Sequence, residues 1–495
     1  MRGGVVLQEN ATGGEPLPGG RSFVPLAWTP GETVEIGGDR FVAPLQASCV
    51  PLLRHRLGNV SRAIALGAEA PDTALAWSPD GSRLAVGTRL GTLLLIDPST
   101  GEVTAERDFP EAVVKRVAWS ARGDVLYAGE QSPDAFLHAL DPRTLDTRWS
   151  LRLADEVGTS PAPPGDDLYG IYTLPGVYGL EVLPDGALLV SAVHGWNDTH
   201  GARCNRSRLL VLDPSGNVLA AWPRENAADA TLMHPRVDAS GRLAAVPVGR
   251  SAEGPPPADL PVHGVQILTL PDLEPAAAFV PPPLEPWFDS VFAWEAVDVS
   301  ARLDRVLLGL GDGRLFVVPI AQDAAPLRLD LGTPVVSGGV PLAASVGFGF
   351  FHQDTLVSQT ARSNIPYGNP IPDVRPAWAH PAENAIRVHD LEGRLQWEWR
   401  GPHALAGLSL GPGDLLVAGA GPRVADDRRD LFGALLFRLD GEGTGYERLV
   451  TACPTSGPVF IHHALSAQGL LAVAAFPFLG GDGALEGDYE VVVFR

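Results

Sequence analysis

Lysine is almost absent from this chain of 495 residues: Lys115 is the single example, and every other cation of fixed charge is an arginine. Lysine and arginine together number 37 against 58 aspartates and glutamates, which gives a formal net charge of −21. Nucleic-acid binders neutralise phosphates with cationic side chains, and anionic membrane surfaces attract basic segments. The shortage of cations therefore argues against a nucleic-acid partner and against docking on a membrane surface.

Long apolar runs are missing as well. Residues 1–14 contain no apolar stretch of signal-peptide length, and no window approaches the roughly 20 apolar residues that span a bilayer. The three cysteines, Cys49, Cys204 and Cys453, lie far apart and form no C-x-x-C pair, so neither a disulfide framework nor a cysteine-rich zinc site is indicated. The sequence predicts a cytoplasmic protein, and its arginine, alanine, glycine and proline bias indicates a bacterial genome of high G+C content.

A repeat organises the chain. Its clearest unit is LAWSPDGSRLAVGTRLGTLLLIDPSTGEVTAE, from Leu75 to Glu106, in which short β-rich runs alternate with turn residues. Related units begin at Val117, Tyr178, His234, Ala296, Leu342, Leu405 and His462. Eight units at a spacing of roughly 40 to 60 residues fit the blades of a propeller.

These turns resemble those of bacterial WD-repeat and pyrroloquinoline-quinone-like β-propellers. The resemblance covers about residues 75–495, and it is carried by the SPDG-type turn at Ser78–Gly81, echoed at Pro184–Gly186, and by Asp-Pro turns followed by Trp at Asp141–Trp149 and Asp213–Trp222. The Gly-His and Trp-Asp dipeptides of true WD repeats are missing, which marks a divergent relative. The resemblance implies an all-β fold, a single closed β-propeller of four-stranded antiparallel blades, with eight blades favoured and seven the alternative.

The last unit ends at its third strand, YEVVVFR. An open ring would leave two sheet edges unpaired, so a strand from elsewhere must complete the blade. We expect residues 1–66 to supply this closing strand, and a divergent extra blade is an option, while residues 67–495 form the propeller repeats. Three pieces of the N-terminal segment have strand-like patterns, namely FVPLAW, RFVAPL and RAIAL.

Long insertions are predicted on one face of the propeller. Five units have a long connection between their second and third strands, at about residues 194–208, 249–263, 361–385, 421–431 and 478–488. Loops on a rigid scaffold often carry function, so this face is the predicted site for a protein partner, with neutral drift in loop length as the alternative. Tyr367, Trp378 and His380 of the sixth unit either contribute to such contacts or anchor their loop to the propeller.

The innermost strands hold a column of small residues that Glu181, Arg236 and Asp298 interrupt in three adjacent units. If these side chains face the central channel, two carboxylates and a guanidinium would satisfy one another in an ion network, or they would form a polar ligand site. The neighbouring column adds His234 and His462, together with Arg116. If His462 and His463 lie in a strand, their side chains point to opposite faces, so at most one should join a site.

A metal site is a weaker expectation. His194, Asp198 and His200 lie in the sequence HGWNDTH and could hold zinc, manganese or iron if three or four ligands converge. The spacing of the two histidines matches no rigid helical ligand pair, and structural histidines are the alternative. No cofactor is predicted.

Two functions stay open at this point. The favoured one is a non-catalytic interaction scaffold or regulatory subunit that binds a protein partner through the insertion face, because no catalytic signature is present. The alternative is a hydrolase or lyase with a His/carboxylate site, metal-assisted or not, at the mouth of the channel. It predicts that at least three of the following six side chains converge: His194, His200, His234, His462, Glu181 and Asp298.

Overall fold

The computed structural model describes residues 33–36, 39–42, 49–59, 73–159, 173–197, 203–249, 263–284, 296–321, 324–337, 340–364, 380–400, 404–421, 432–439, 449–459, 461–479 and 485–495. Within these ranges the regular structure is almost entirely β-strand, with one short helix, α1 (Ala154–Val157), and a 3-10 turn at Pro412–Asp414. The predicted all-β class is confirmed. None of the helical residues described here forms a segment long and apolar enough to cross a bilayer.

The strands follow one another as short meanders, which we name sheet 1 to sheet 8 in chain order. The N-terminal segment contributes β1 (Thr33–Ile36), β2 (Asp39–Val42) and β3 (Pro51–Gly58). Sheet 1 contains β4 (Ala74–Trp77), β5 (Leu84–Gly87), β6 (Thr92–Ile96) and β7 (Val103–Asp108). Sheet 2 contains β8 (Val113–Trp119), β9 (Leu126–Gln131), β10 (Phe136–Leu140) and β11 (Thr147–Arg152). Sheet 3 contains β12 (Gly176–Val182), β13 (Leu188–Asn197), β14 (Arg203–Leu212) and β15 (Val218–Trp222).

The second half of the chain continues in the same way. Sheet 4 contains β16 (Thr231–Leu232), β17 (Arg236–Val237), β18 (Leu243–Gly249), β19 (His263–Thr269) and β20 (Glu274–Phe279). Sheet 5 contains β21 (Val297–Ser300), β22 (Arg305–Gly309), β23 (Arg314–Pro319) and β24 (Leu327–Asp330). Sheet 6 contains β25 (Val335–Ser337), β26 (Val340–His352), β27 (Thr355–Asn364), β28 (Ala385–Asp390) and β29 (Leu395–Arg400). Sheet 7 contains β30 (Ala404–Leu410), β31 (Leu415–Gly421), β32 (Gly433–Arg438) and β33 (Leu449–Pro454). Sheet 8 contains β34 (His463–Leu465), β35 (Leu471–Ala475) and β38 (Tyr489–Phe494), with the hairpin β36 (Phe478–Leu479) and β37 (Leu485–Glu486) between them.

Consecutive strands within a sheet pair antiparallel, as the sequence predicts. Sheets 2 and 3 are joined by one additional pair, between Gly176 and Gln131. In sheet 4 the innermost strand is split, since β16 and β17 both pair with β18. The long predicted insertion at 194–208 is largely strand, because β13 and β14 stay paired as far as Asn197 and Arg203.

The two ends of the chain meet in sheet 8. Strand β3 pairs antiparallel with β38, with Leu53 opposite Val493, so a strand of the first 66 residues completes this sheet. This strand is PLLRHRLG, which is none of the three pieces that the sequence singled out. Residues 40–42 of RFVAPL lie in β2 instead, and FVPLAW and RAIAL lie outside the described residues. The sequence missed β3 because the polar run Arg54, His55 and Arg56 breaks up the apolar pattern.

A disulfide joins Cys49 to Cys453, which corrects the expectation that no disulfide is indicated. Cys49 immediately precedes β3 and Cys453 lies in β33, so residues 404 positions apart in sequence become neighbours where sheet 8 meets sheet 7. The backbone N–H of Cys49 also donates to the carbonyl of Ala452 at 3.1 Å. Spacing along the chain gave no sign of this contact because it depends on the closing strand.

The core lies between the sheets. Each large apolar cluster spans two consecutive sheets, so every sheet is covered on both faces. The same holds between the last sheet and the first, where Leu84 and Ile96 pack with Tyr489 and Val491. Burying one large apolar side chain contributes about 1.5–3 kcal/mol of stability. The cluster between sheets 8 and 1 therefore stabilises this interface in the same way as the other clusters stabilise theirs.

Indole hydrogen bonds repeat between neighbouring sheets. The Nε1 of Trp119 donates to the carbonyl of Ala76 in sheet 1 at 3.1 Å, and the Nε1 of Trp77 donates to the carbonyl of Ala464 in sheet 8 at 3.0 Å. Both tryptophans end the innermost strand of their sheet, and both acceptors belong to the innermost strand of the preceding sheet. The interface between sheets 8 and 1 thus has the same hydrogen bond as the one between sheets 1 and 2.

The predicted turns have the chemistry that their residues suggest. In the SPDG turn, Gly81 has a φ of 66°, a left-handed conformation that glycine adopts without strain. The carboxylate of Asp80 accepts hydrogen bonds from the Ser78 hydroxyl and from the backbone and hydroxyl of Ser82, which lowers its pKa to about 2. These turns fix the meander and leave the innermost strands pointing towards a common axis.

Candidate functional site

The innermost strands of all the named sheets line a single cavity of about 510 Å³, which we call the central cavity. The predicted residues Glu181, His234, Arg236, Asp298 and His462 all line it. Whether they bind a ligand stays a prediction.

The expected network of two carboxylates and one guanidinium is only partly formed. Nη1 of Arg236 lies 3.9 Å from Oε1 of Glu181, and both side chains are 39% exposed. A long, solvated ion pair of this kind contributes little to stability. Asp298 instead accepts hydrogen bonds from the backbone N–H groups of Val299 and Phe351, at 2.9 and 2.7 Å.

Asp298 therefore connects two sheets, because Val299 lies in sheet 5 and Phe351 in sheet 6. Burial raises the pKa of Asp298 to about 6, against the opposing effect of its two backbone hydrogen bonds and of Arg236. Asp238 adds a smaller raising effect through like-charge repulsion. The carboxylate is consequently partly protonated near neutral pH, and both of its oxygens are occupied by backbone donors.

Two β-bulges on adjacent innermost strands turn Lys115 and Tyr178 into the same region. In β8, Val114 and Arg116 pair with Glu130 and Gly129, which leaves Lys115 as the extra residue. In β12, Val177 and Gly179 pair with Ala192 and Ser191, which leaves Tyr178 as the extra residue. A bulge re-aims a side chain and interrupts the alternation of a strand, so Lys115 and Arg116 both line the cavity.

Lys115 is the only lysine of the chain, and it is 3% exposed. Its Nζ donates to Oε1 of Gln131 at 2.8 Å and lies 4.1 Å from the centre of the Tyr178 ring, a cation–π contact. Gln131 also donates to the Tyr178 hydroxyl at 2.9 Å. A buried ammonium is thus held between an amide oxygen and an aromatic face.

Arg116 of sheet 2 forms hydrogen bonds within its own strand and with residues of sheets 3 and 4 at the cavity wall. Its Nε donates to the Tyr178 carbonyl at 3.1 Å, its Nη1 to the Lys115 carbonyl at 2.9 Å, and its Nη2 to Nδ1 of His234 at 3.1 Å. A guanidinium only donates, so Nδ1 of His234 must be the acceptor and the neutral ring carries its proton on Nε2. All three of these acceptors are uncharged.

His234 owes its position to the break in sheet 4. It lies between β16 and β17 with a φ of 51°, in the left-handed region that few residues other than glycine, asparagine, aspartate and histidine adopt. Non-glycine residues in this region cost free energy and are concentrated at functional sites. The break directs the imidazole towards Arg116 of sheet 2, two sheets away along the chain.

His462 and His463 both line the central cavity, and the condition for the expectation that at most one joins a site, a strand through both residues, is not met. The reason is that β34 begins only at His463, and the backbone N–H of His463 donates to the carbonyl of Ile461. This local turn replaces the alternation of a regular strand. His462 additionally packs edge-on against the Phe476 ring, with centroids 5.6 Å apart.

His194 does not line the central cavity. It is buried in β13, where its Nδ1 lies 3.3 Å from the carbonyl of Val157 in α1 and its ring packs on Trp196. Asp198 and His200 lie outside the described residues. Among the described residues, no group of three or more His, Cys, Asp or Glu side chains is arranged to hold a metal ion.

His380 is a buried anchor at the end of the sixth insertion. Its Nδ1 accepts from the backbone N–H of Ala382 at 3.0 Å, and its Nε2 lies 2.9 Å from the Thr333 carbonyl, to which it donates. Burial lowers the pKa of His380, in keeping with a neutral ring. The anchoring interpretation describes His380, whereas Tyr367 and Trp378 lie outside the described residues.

Sequence reasoning missed Lys115 and Tyr178 as cavity residues. In a regular strand, adjacent residues such as Lys115 and Arg116 face opposite sides, so only Arg116 was placed on the inner column. One signal was available, since the chain's single lysine stands in the otherwise apolar run VVKRVAW. The apolar side of the cavity, with Phe348 and Phe350 of β26, was missed as well because the sixth unit is the most divergent.

Known proteins share this architecture. The sequence model of the family described as the anaphase-promoting complex subunit 4 WD40 domain matches residues 51–122, from β3 to the start of sheet 2. The C-terminal WD40 domain of Sif2 is similar over 90% of this chain and 98% of that domain, at 11% identity and a TM-score of 0.50. The fold is a β-propeller.

Two further solved structures are similar at lower scores. Dihydro-heme d1 dehydrogenase NirN, in complex with DHE, is 14% identical, with 78% of this chain and 67% of that chain covered and a TM-score of 0.47. BamB from Moraxella catarrhalis is 12% identical, with coverages of 72% and 85% and a TM-score of 0.42. Among curated proteins, none matches this chain in sequence.

Proposed function

We propose that sheets 1 to 8 are the blades of one closed eight-bladed ring. Three observations support this proposal: the pairing of β3 with β38, the apolar cluster between sheets 8 and 1, and the Trp77 indole hydrogen bond across that interface. A seven-bladed ring, the alternative, would leave one four-stranded unit without a place. Bacterial origin and kinship with the quinone-type propellers remain predictions.

The ring serves, in this proposal, as a non-catalytic scaffold or regulatory subunit that binds a protein partner. WD40 propellers typically act as interaction scaffolds, and the fold of this chain is of that kind. The supporting observation is the position of the long connections. Long connections follow β18, β27, β31 and β35, which are the strands next to the innermost one in sheets 4, 6, 7 and 8. The corresponding connections are short in sheets 1, 2, 3 and 5, and in sheet 3 only residues 198–202 separate β13 from β14.

The connections between the second and third strands of all blades lie on the same side of a propeller, because the second strands all run in the same direction. Four long connections that leave a scaffold on one side suit recognition of another protein, because loops on a rigid scaffold often carry binding function. The hydrolase or lyase alternative has weaker support, since His194 lies outside the cavity and Asp298 is held by backbone donors. The sequence predicts the cytoplasm, whereas the Cys49–Cys453 disulfide favours an oxidising compartment, so the location stays a prediction.

Loop replacement tests the scaffold. In one variant, residues 250–262, 365–379 and 422–431 are replaced by short Gly-Ser linkers. In a matched control, exposed turn residues between the third and fourth strands of sheets 1 to 3, on the opposite side, are replaced by Gly-Ser. Each protein is used for affinity purification from the native organism, and binding of each purified candidate is then measured.

We expect one or more proteins to bind the wild type and the control with equal affinity and the loop variant at least about tenfold more weakly. Equal unfolding temperatures would show that the ring is intact in all three proteins. Equal binding by the loop variant would contradict the proposal.

A further inference from the structure

The central cavity has a charge opposite in sign to that of the chain as a whole. Its described lining contains the cations Lys115, Arg116 and Arg236 against the carboxylates Glu181 and Asp298, while the whole chain has a net charge of −21. Burial also raises the pKa of Asp298 to about 6, which reduces the negative charge of the lining further. The single lysine of the chain thus lines the same cavity as two arginines.

This cationic wall is built by local departures from regular strand geometry. Lys115 and Tyr178 are the extra residues of two bulges, and His234 has a left-handed backbone between two half-strands. Arg116 ties the three together through the carbonyls of Lys115 and Tyr178 and through Nδ1 of His234. Such departures cost stability, and they recur where a side chain must be aimed at a ligand.

The positive charge of the Arg116 guanidinium is not balanced by the groups that accept its hydrogen bonds. Its three acceptors are neutral, and they use three of its five N–H groups. A guanidinium with neutral acceptors, next to an ammonium and a second arginine, favours occupation of the cavity by an anion. The two remaining N–H groups are enough to bind a carboxylate or phosphate oxygen pair.

The size and the remaining lining of the cavity define the kind of anion. A volume of about 510 Å³ falls within the range of small-molecule sites and excludes a folded macromolecule. Phe348, Phe350 and Leu408 line the same cavity from sheets 6 and 7, so part of the wall is apolar. A ligand that satisfies both parts has a charged head and a carbon skeleton.

We propose that the central cavity binds a small organic anion, whose carboxylate or phosphate head contacts Arg116 and Arg236 and whose apolar body packs towards Phe348 and Phe350. Lys115 supplies positive charge behind Arg116, and His234 holds the guanidinium in place. This site is separate from the surface proposed for a protein partner, and neither proposal depends on the other.

Calorimetric titration of the full chain tests the proposal, with benzoate and phenyl phosphate as probes at constant ionic strength and near neutral pH. Acetate and inorganic phosphate carry the same head groups without the ring and measure the contribution of the apolar wall. The variants are R116Q and R236Q, and the control is R242Q, which removes the same charge from an exposed turn of sheet 4. R236Q keeps the test valid if R116Q disturbs folding, because the Arg236 side chain is 39% exposed.

We expect saturable one-to-one binding of at least one ring-containing probe to the wild type and to R242Q, with affinity reduced about tenfold or more in R116Q and R236Q. Preference for benzoate would assign the site to carboxylates, and preference for phenyl phosphate would assign it to phosphate esters. Absence of saturable binding up to about 10 mM, or equal affinity in R236Q and the wild type, would overturn the proposal.

Discussion

The wall of the central cavity has two unlike halves built on the same repeated strand. Sheets 2 to 5 contribute the charged half, with Arg116, Arg236 and Asp298, and sheets 6 and 7 contribute the apolar half, with Phe348 and Leu408. The repeat therefore fixes where an innermost strand lies but leaves the chemistry of each strand free to vary.

Bulges occur in both halves, with different consequences. In the charged half the extra residues are Lys115 and Tyr178, neither of which has a positive φ, so each bulge accepts a full side chain. In the apolar half, β30 has Gly407 as its extra residue, with a φ of 76°. A left-handed bulge requires glycine and presents no side chain, whereas a right-handed one presents a cation or an aromatic ring.

The largest predicted effect concerns Asp298 in the charged half. Its pKa rises from 3.8 to about 6 on folding, so the native state holds more protons than the unfolded chain between these values, and stability falls as the pH rises through this window. The D298N variant removes this titration. We expect its unfolding free energy relative to the wild type to become more favourable by about 3 kcal/mol between pH 3 and pH 8, measured by urea denaturation.

Arg236 opposes the rise in the pKa of Asp298, and Asp238 reinforces it. A stability difference that does not change with pH would mean that Asp298 titrates normally, and it would remove the buried carboxylate from the account. The exposed carboxylate variant D330N serves as the control.

The next effect concerns His389 in sheet 6, which also contributes to the apolar half, and its dependence of stability on pH has the opposite sign. Burial lowers the pKa of His389, in β28, from 6.5 to about 4, so the unfolded chain binds the proton first and stability falls as the pH drops below about 6.5. In H389L we expect stability relative to the wild type to improve on acidification from pH 7 to pH 4. The gain should be about 2 kcal/mol after allowance for solvent screening.

The same denaturation series, carried out on both variants, tests this contrast. Opposite slopes for D298N and H389L would sharpen the distinction between the halves, while slopes of the same sign would contradict it.

A smaller effect tests the requirement for glycine in the apolar half. The G407A variant places a Cβ on a residue with a φ of 76°, and a left-handed L-residue costs about 1–2 kcal/mol. Gly347 is also an extra bulge residue, but it has no positive φ, and a Cβ there would lie 3.4 Å from the Cβ of Ala361. We expect thermal unfolding to show a clear loss for G407A and a change within about 0.5 kcal/mol for G347A. Equal losses would refute the role assigned to backbone handedness.

The smallest effect belongs to the Glu181–Arg236 pair. Because the two groups lie 3.9 Å apart and are 39% exposed, R236Q should change the unfolding free energy by less than about 1 kcal/mol. Chemical denaturation at constant salt measures this change, with R242Q as the control. A loss above about 2 kcal/mol would restore the interpretation of this pair as a buried ionic lock between blades.

Much of the architecture could be predicted because turn residues and short apolar runs are local signals. The unit beginning at Leu75 contains its four strands in the expected order, and Glu181, His234 and Asp298 all line the cavity. The need for a strand from residues 1–66 was predicted, whereas its identity as β3 and the Cys49–Cys453 bond could not be, because each joins residues more than 400 positions apart. Lys115 and Tyr178 were missed because bulges cancel the two-residue alternation on which the column argument rests.

Anomalous diffraction from crystals soaked in bromide gives the most direct test of the division of the cavity. The account predicts a strong bromide peak inside the cavity next to Arg116 or Arg236, with none beside Phe348 and Phe350. Bromide confined to arginines on the outer surface, with an empty cavity, would contradict it.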